Sequence, residues 1–480
     1  MKKNVVIITA DQLRFDCVGA NGNKIVKTPN IDRLAEMGVN FQNHYCSAPT
    51  CSPARASILT GMYPRAHGLY SLGYRMPDDQ IPYSLGSVMD GNGYDTAIIG
   101  KVHLEALEAR EAANLDHTKP YFGFRHFRVT EDDPCGEYLD WIRDEYPEYY
   151  ETALNNVSPS FAPKPYVHEA LPGHMQELYV SGLPEELHQT AWITDHALDY
   201  IDHAAEEKRP FCAWFSYVDP HHPWNPPASY ADMYDPMEVE LPYLHQEELK
   251  GDDYSYSYIA GMDEMEYRKM IAAYYALITF TDTYIGKILD RLEEKGLMEN
   301  TLIIFTSDHG DYNGDHGLVR KCWRLHEGIL RIPLIIVDKT GNVRGKKIYG
   351  YTQDVDLMPT ILDLCGIQYP REMQGRSLAS IFLEGKEKTG RDCAVSEFTM
   401  SDHPFGDQKW NLSVVKNHYK LLYYQFENQF YLYDLENDPN EIKDLAASEK
   451  YQNILEDMKK TLLEWSLETG FYMRKQKYRW

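Results

Sequence analysis

Four short apolar runs of this chain end on residues equipped for chemistry. Val5 to Ala10 stops at Asp11-Gln12, and Thr96 to Ile99 leads into Gly100-Lys101-Val102-His103. Phe211 to Val218 delivers Asp219-Pro220-His221-His222-Pro223, and Leu302 to Thr306 delivers Ser307-Asp308-His309-Gly310. Asp11, Gln12, Asp308 and His309 together offer three side-chain oxygen groups and one imidazole, a set able to hold one divalent metal. Carboxylate and amide oxygens suit calcium, magnesium or manganese, while the imidazole draws toward manganese or a softer ion. A single strand-end aspartate is explained as well by capping the next turn. Four ends that carry acids, cations and imidazoles at the same position favour one shared site.

A further chemical feature is the run Cys51-Ser52-Pro53-Ala54-Arg55-Ala56-Ser57-Ile58-Leu59-Thr60-Gly61. Ser52 as N-cap and Pro53 in the first turn predict a helix that starts just after Cys51. Free N–H groups and the helix dipole at such a start attract an anion by about 1–2 kcal/mol. Arg55 follows about one turn later, so its guanidinium can reach the same side. Read alone, the run is a reactive thiol at an anion-binding helix start. A buried structural cysteine leaves the company of Pro53, Arg55 and a helix start unexplained.

These residues need a scaffold that brings strand ends to one edge. The apolar runs, with Pro333 to Val337 as another, are near-continuous and alternate with helical patterns. That indicates an α/β fold, a large mostly parallel sheet covered by helices on both faces. Ligand sites in such sheets lie beyond the carboxyl ends of the strands, where the quoted residues fall. Thr28-Pro29 opens a helix that Gly38 closes, and Gly61 closes the helix after Cys51. Residues 105–190 are acidic, rich in Tyr and Pro and weakly periodic, and are expected as an insertion over the mouth of the site. Further on, Leu412 to Val415, Tyr419 to Tyr424 and Gln429 to Tyr433 predict short antiparallel strands, with a turn at Asn437-Asp438-Pro439. A helix from about Glu449 to Glu468, ended by Gly470, completes the pattern. The expected organisation is a catalytic domain over 1–375 and a smaller α/β subdomain, built on a short antiparallel sheet, over 376–480.

Hydrophobic residues make up 43% of the 480 and charged ones 25%, as in an ordinary soluble enzyme. The formal charge of −25 argues against nucleic acid or anionic membrane as a partner, and leaves any anionic substrate to be attracted by local cations. Val5 to Ala10 is too short for a signal-peptide core, and no stretch approaches the roughly 18 apolar residues of a membrane helix. Cysteines 17, 46, 51, 135, 212, 322, 365 and 393 show no regular spacing and no CxxC pair. They are expected as reduced thiols of a cytoplasmic protein. The basic tail Arg474, Lys475, Lys477 and Arg479 is expected as a solvated end.

The run at Cys51 resembles the signature of the type I sulfatases of the alkaline phosphatase superfamily. Their C-x-P-x-R core is matched at Cys51, Pro53 and Arg55, and Ser57 to Gly61 match as well. The likeness continues through the Asp11 strand, Thr28-Pro29-Asn30-Ile31-Asp32, Gly100-Lys101-Val102-His103 and Pro220-His221. Ser307-Asp308-His309-Gly310, Lys321 and Tyr433-Asp434-Leu435-Glu436-Asn437-Asp438-Pro439 extend it over most of the chain. The resemblance implies a sulfuric ester hydrolase in which a formylglycine-generating maturation enzyme oxidises Cys51 to formylglycine (3-oxoalanine), whose hydrate is the nucleophile. It implies one divalent metal, calcium ahead of manganese or magnesium, held by Asp11, Gln12, Asp308, His309 and the modified Cys51. Arg55, Lys101 and Lys321 are the implied cations for the sulfate oxygens. His221, shared with Lys321, is the implied acid for the leaving alcohol, and His103 removes a proton from the remaining hydroxyl. The family pattern leaves His222 as a rim residue. His316 and His326 either contact substrate or fill loop packing, with His326 assigned to packing. Arg320 and Arg324 either read a second anionic group or are solvated.

Gln12 stands where many family members carry a second aspartate, which removes one negative charge from the metal shell. His309 stands where some carry asparagine, and Val102 replaces the tryptophan common between the lysine and the histidine. The implied substrate is a small-molecule or oligosaccharide sulfate ester, with a sulfated carbohydrate favoured because aromatic faces of the insertion can stack on sugar rings. A phosphonate monoester or phosphodiester hydrolase shares the formylglycine device and accommodates the Asp-Gln and Asp-His pairs. The Lys101-Val102-His103 run favours the sulfatase. A non-catalytic binder of sulfated glycans is the third reading, and the presence of every motif residue counts against it.

Overall fold

Alternation along the apolar runs sorts their side chains to two sides. The computed structural model describes residues 2–105, 114–132, 136–156, 177–243, 262–321, 323–341, 343–369, 373–399, 410–425 and 427–470. The strands of the main sheet are β1 (Asn4–Ala10), β2 (Val39–Tyr45), β3 (Asp95–Gly100), β4 (His126–Val129), β5 (Phe211–Tyr217), β6 (Thr301–Thr306), β7 (Leu334–Asp338) and β8 (Lys346–Gln353). Their order is β4-β3-β5-β1-β6-β7-β2-β8. All neighbours are parallel except at β7, which runs antiparallel to β6 and to β2. The expected mostly parallel sheet is therefore present, and each of the five apolar runs is one of its strands. The shorter or more polar β2, β4 and β8 were not foreseen. β4 lies within the stretch read as an insertion, yet it is the edge strand of the main sheet.

Val6 and Ile8 of β1 pack with Ile31 and Leu34 of helix α1 (Pro29–Met37), Ile193 of the helix Gln189–Glu207 and Phe280 of the helix Glu264–Glu294. Val5 and Ile7 face the other way, onto Ile58 and Leu59 of helix α2 (Cys51–Thr60) and Leu357 and Ile361 of the helix Leu357–Leu364. Each such side chain, removed fully from water, contributes about 1.5–3 kcal/mol. Two packed faces hold β1 rigidly at the centre, and with it the position of Asp11.

The C-terminal sheet comprises β9 (Cys393–Thr399), β10 (Trp410–Lys416), β11 (Tyr419–Tyr424) and β12 (Gln429–Asp434), in the order β12-β11-β10-β9 and antiparallel throughout. Three of these match the expected strands, and β9 is additional. Val395, Val414, Leu421 and Leu432 pack with Leu455, Met458 and Leu462 of the helix Gln452–Gly470, which includes Gly470 instead of ending before it. The helix Ala379–Glu384, just beyond residue 375, buries Ile381 and Phe382 in the core of the main sheet. Buried Lys420 joins the two parts, with Nζ 3.2 Å from Glu327 and 2.8 Å from Glu441.

Among the described residues no helix is long and apolar enough to cross a membrane. The six described cysteines are all free. Cys135, Cys322, the basic tail and residues 106–113, 133–135 and 157–176 of the expected insertion lie outside the described residues.

Candidate active site

The strand order places the carboxyl ends of β3, β5, β1 and β6 side by side, and the helix start at Cys51 faces them. Helix α2 begins with Cys51 itself, two residues earlier than Ser52 as N-cap would require. Thr50, in extended backbone conformation, precedes it and makes no side-chain cap hydrogen bond. The thiol is buried, 3.1 Å from His309 Nε2, 3.9 Å from Asp11 Oδ1, 2.8 Å from Lys321 Nζ and 3.7 Å from Lys101 Nζ. Burial, then Asp11, pushes the Cys51 thiol up to about 12. Unmodified Cys51 is thus no thiolate at neutral pH, which corrects the bare reading of the run as a reactive thiol.

Asp11, Cys51, Asp308 and His309 place one donor atom each within 4.8 Å of one another. His309 Nδ1 lies 2.9 Å from the Gly310 carbonyl and must carry the hydrogen, so Nε2 presents its lone pair to the cluster. Burial, then Lys321, holds His309 down at about 4, so the ring is neutral. Asp11 Oδ1 and Asp308 Oδ1 stand 3.6 and 4.0 Å from that nitrogen. Their second oxygens are spoken for: Asp11 Oδ2 by Lys101 at 2.5 Å, and Asp308 Oδ2 by Arg55 at 2.8 Å. Asp11 Oδ1, Asp308 Oδ1, which also accepts the backbone N–H groups of Gln12 and His309, and one imidazole lone pair fit a divalent cation.

Gln12 joins them through an unusual backbone, with φ of 65°. Its side-chain amide group donates to Asp311, which leaves Oε1 facing Lys321 Nζ at 3.2 Å. Asp311, one residue beyond the Ser307-Asp308-His309-Gly310 run, was not among the expected site residues. Burial pushes its carboxyl up to about 6 against the pull of the hydrogen bonds from Asn313 and Gln12.

Arg55 is engaged by the acids of the site. Its guanidinium donates to Asp308 at 2.8 Å, Asp11 at 3.4 Å, the Lys101 carbonyl at 2.6 Å and Ser216 Oγ at 2.7 Å, all buried. Burial disfavours its charge, but Asp308 and Asp11 more than offset that and raise it above the ordinary arginine value. It locks the two acids in place.

Lys101 and Lys321 both reach Cys51, as expected. Lys321 Nζ also lies 3.0 Å from His309 Nε2 and 3.2 Å from His221 Nε2. His221 Nδ1 meets the His222 carbonyl at 2.6 Å and so carries its hydrogen, which turns Nε2 toward Lys321. Burial, then Lys101 and Lys321, holds His221 well below the usual histidine range. His222 is no rim residue: it is buried, stacks on His221 at 3.9 Å and lies 3.3 Å from the Gln12 side-chain nitrogen. Asp219 turns away to Thr190 at 2.5 Å.

A fifth strand end also contributes. β4 leads into Thr130-Glu131-Asp132, which the sequence reading passed over. Glu131 Oε1 accepts the backbone N–H groups of Val102 and His103, at 3.3 and 2.8 Å. Asp132 Oδ2 lies 3.0 Å from Lys101 Nζ and 3.2 Å from His221 Nε2. His103 Nδ1 stands 3.8 Å from both carboxylates. The remaining candidates are engaged by other partners, although the Arg320 backbone N–H also donates to Asp311 at 3.0 Å. His316 stacks on His326 at 3.9 Å, and His326 is 3.5 Å from Glu441. Arg320 pairs with Glu177 at 3.0 Å and Arg324 with Glu427 at 3.0 Å. A cavity of about 930 Å³ borders Arg14, His316 and Glu441, and none of the residues around Cys51 lines it.

The family model for sulfatases, described as "Sulfatase", matches residues 3–367. The chain belongs to the sulfatase family. A second model, "N-sulphoglucosamine sulphohydrolase, C-terminal", matches residues 314–468. The sulfatase chain is 32% identical over 488 residues to an arylsulfatase of Clostridium perfringens, covering 97% of this chain and 94% of that one. It is 24% identical to an N-acetylglucosamine-6-O-sulfatase of Bacteroides thetaiotaomicron, covering 96% and 86%. Among solved structures it resembles a phosphonate monoester hydrolase of Agrobacterium radiobacter, with a TM-score of 0.81, 26% identity, and 98% and 96% of the chains covered. The sulfatase is thus an enzyme of the sulfuric ester hydrolase class, on the α/β fold of its family.

Proposed function

We propose that this sulfatase hydrolyses the sulfate ester of a carbohydrate at Cys51, after that residue has been oxidised to formylglycine, with one divalent metal bound beside it. The observation that carries the reading is the convergence of Asp11, Asp308 and His309 donors on Cys51, with two lysine ammonium groups at 2.8 and 3.7 Å from its sulfur. Asp11, Gln12, Asp308 and His309 would hold the metal, calcium first on its oxygen donors, with manganese or magnesium as alternatives. Bound there, a divalent cation supplies Lewis acidity and a template for the ester. Formylglycine, made by a maturation enzyme, supplies a hydrated aldehyde as nucleophile. A glycan substrate is supported by the C-terminal family description and by the N-acetylglucosamine-6-O-sulfatase relative.

Lys101 and Lys321 stand ready to neutralise sulfate oxygens as charge shifts toward the transition state. His221 Nε2 lies between an ammonium that can lend a proton and the Asp132 carboxylate that stabilises an imidazolium. The acid for the leaving alcohol is therefore the Lys321–His221 pair. His103, its loop pinned by Glu131, is the group left to take a proton from the second hydroxyl.

The likeness to a phosphonate monoester hydrolase favours a second reading, hydrolysis of phosphonate monoesters or phosphodiesters. Mass spectrometry of the peptide containing position 51, from protein co-produced with a maturation enzyme, should reveal loss of sulfur and gain of an aldehyde. That protein should turn over 4-nitrophenyl sulfate at least tenfold faster than phenyl phosphonate esters. A reversed ratio would replace the sulfatase reading with the second one.

A further inference from the structure

Asp132 shares two of the groups meant for the ester, Lys101 and His221. Its Oδ2 contacts Lys101 Nζ at 3.0 Å and His221 Nε2 at 3.2 Å, and its side chain is 13% exposed. Asp11 also reaches Lys101, at 2.5 Å, but unlike Asp132 it is fully buried and, with Asp308, is ion-paired to Arg55. Burial opposes the charge of Asp132, yet Lys101, His221 and His103 outweigh it and hold the carboxyl well below the usual range. A fixed negative charge therefore stands among the groups that would receive sulfate oxygens.

We propose that Asp132 is a specificity-determining residue, a charge filter that admits monoanionic tetrahedral esters and disfavours dianions. The inference rests on the reading that Lys101 and His221 line the sulfate pocket. A sulfate monoester R–O–SO₃⁻ carries one charge. Its hydrolysis, R–O–SO₃⁻ + H₂O → R–OH + SO₄²⁻ + H⁺, leaves a dianion. Repulsion from a carboxylate about 5 Å away, at an effective dielectric of about 20, amounts to roughly 10²-fold in affinity for each added ligand charge. Asp132 would thus hold the ester, reject phosphate monoester dianions, and help expel the sulfate product.

The test uses the full-length, calcium-loaded protein with Cys51 left as the thiol, so that nothing turns over. Calorimetry measures the binding of methyl sulfate and of inorganic sulfate to the wild type, Asp132→Asn and Asp132→Glu. The wild type should prefer methyl sulfate. Asp132→Asn should gain at least tenfold more affinity for inorganic sulfate than for methyl sulfate, and Asp132→Glu should restore the wild-type ratio. A merely structural aspartate would shift both affinities together with the melting temperature. An equal change for the two anions, or no gain for sulfate in a folded variant, would overturn the charge filter. If neither anion binds any form, the sulfate pocket itself is refuted, and the filter falls with it.

Discussion

The inner and outer halves of the site are held by different means. Asp11, Asp308, His309 and Arg55 come from β1, the end of β6 and the start of α2, the centre of the sheet, and all are fully buried. Arg55 alone donates to four groups, among them both Asp11 and Asp308. Lys101, His103, Asp132, His221 and Lys321 come from the flank, beyond β3, β4 and β5, and from the loop after His309. Several of their contacts run at 3.0–3.8 Å to groups that a ligand could replace. The inner half is therefore tied to stability, and the outer half is left adjustable for catalysis and choice of substrate.

The sharpest way to break this contrast is Arg55→Ala. It removes the ion-pair partner of buried Asp308 and leaves Asp11 to Lys101 alone, and removing one partner of a buried ion pair costs about 3–5 kcal/mol. Urea denaturation should register that loss, with added calcium recovering part of it by binding the freed acids. A loss under about 1 kcal/mol, the worth of an exposed pair, would mean the inner half is no more rigid than the outer.

The inner half was also the more legible half. Asp11, Asp308 and His309 follow strongly apolar strands, so hydrophobic pattern and the strand-end rule located them together. Glu131 and Asp132 escaped because β4 is a four-residue edge strand with alternate residues exposed, His-Phe-Arg-Val, inside an acidic, Tyr-rich stretch. An edge strand needs no continuous apolar run, so nothing local marked its end as a fifth contributor. The task of Arg55 was unreadable for another reason. Spacing along α2 places its Cα, but only the fold reveals that its guanidinium is taken up by Asp11, Asp308, Ser216 and the Lys101 carbonyl. β7 illustrates the same limit, since its composition is that of a parallel core strand while its direction is set by neighbours.

A smaller effect is expected at the hinge between the halves. Glu131→Ala leaves the N–H groups of Val102 and His103 without the buried acceptor that pins them, at a cost of about 1.5–3 kcal/mol. Because that loop carries Lys101 and His103, turnover of 4-nitrophenyl sulfate should fall by more than stability alone explains. Glu131→Gln retains one acceptor oxygen and should keep most of the stability. If Glu131→Ala matches the wild type in both melting temperature and turnover, the loop is positioned by something else.

The smallest effect on stability, and the clearest separation of the halves, is expected for Lys321→Ala. Lys321 Nζ lies within hydrogen-bond distance of Gln12 Oε1, Cys51 Sγ, His221 Nε2 and His309 Nε2, none of them a carboxylate. Its removal strands no buried anion, so denaturation should change by less than about 1 kcal/mol. It does remove both a cation for the sulfate oxygens and the proton source beside His221. Loss of such a preorganised group costs about 10²–10³ in kcat. Normal folding with that loss of turnover would place Lys321 in the adjustable half. A parallel fall in stability would instead make it part of the inner framework, and the boundary drawn between the two halves would have to move.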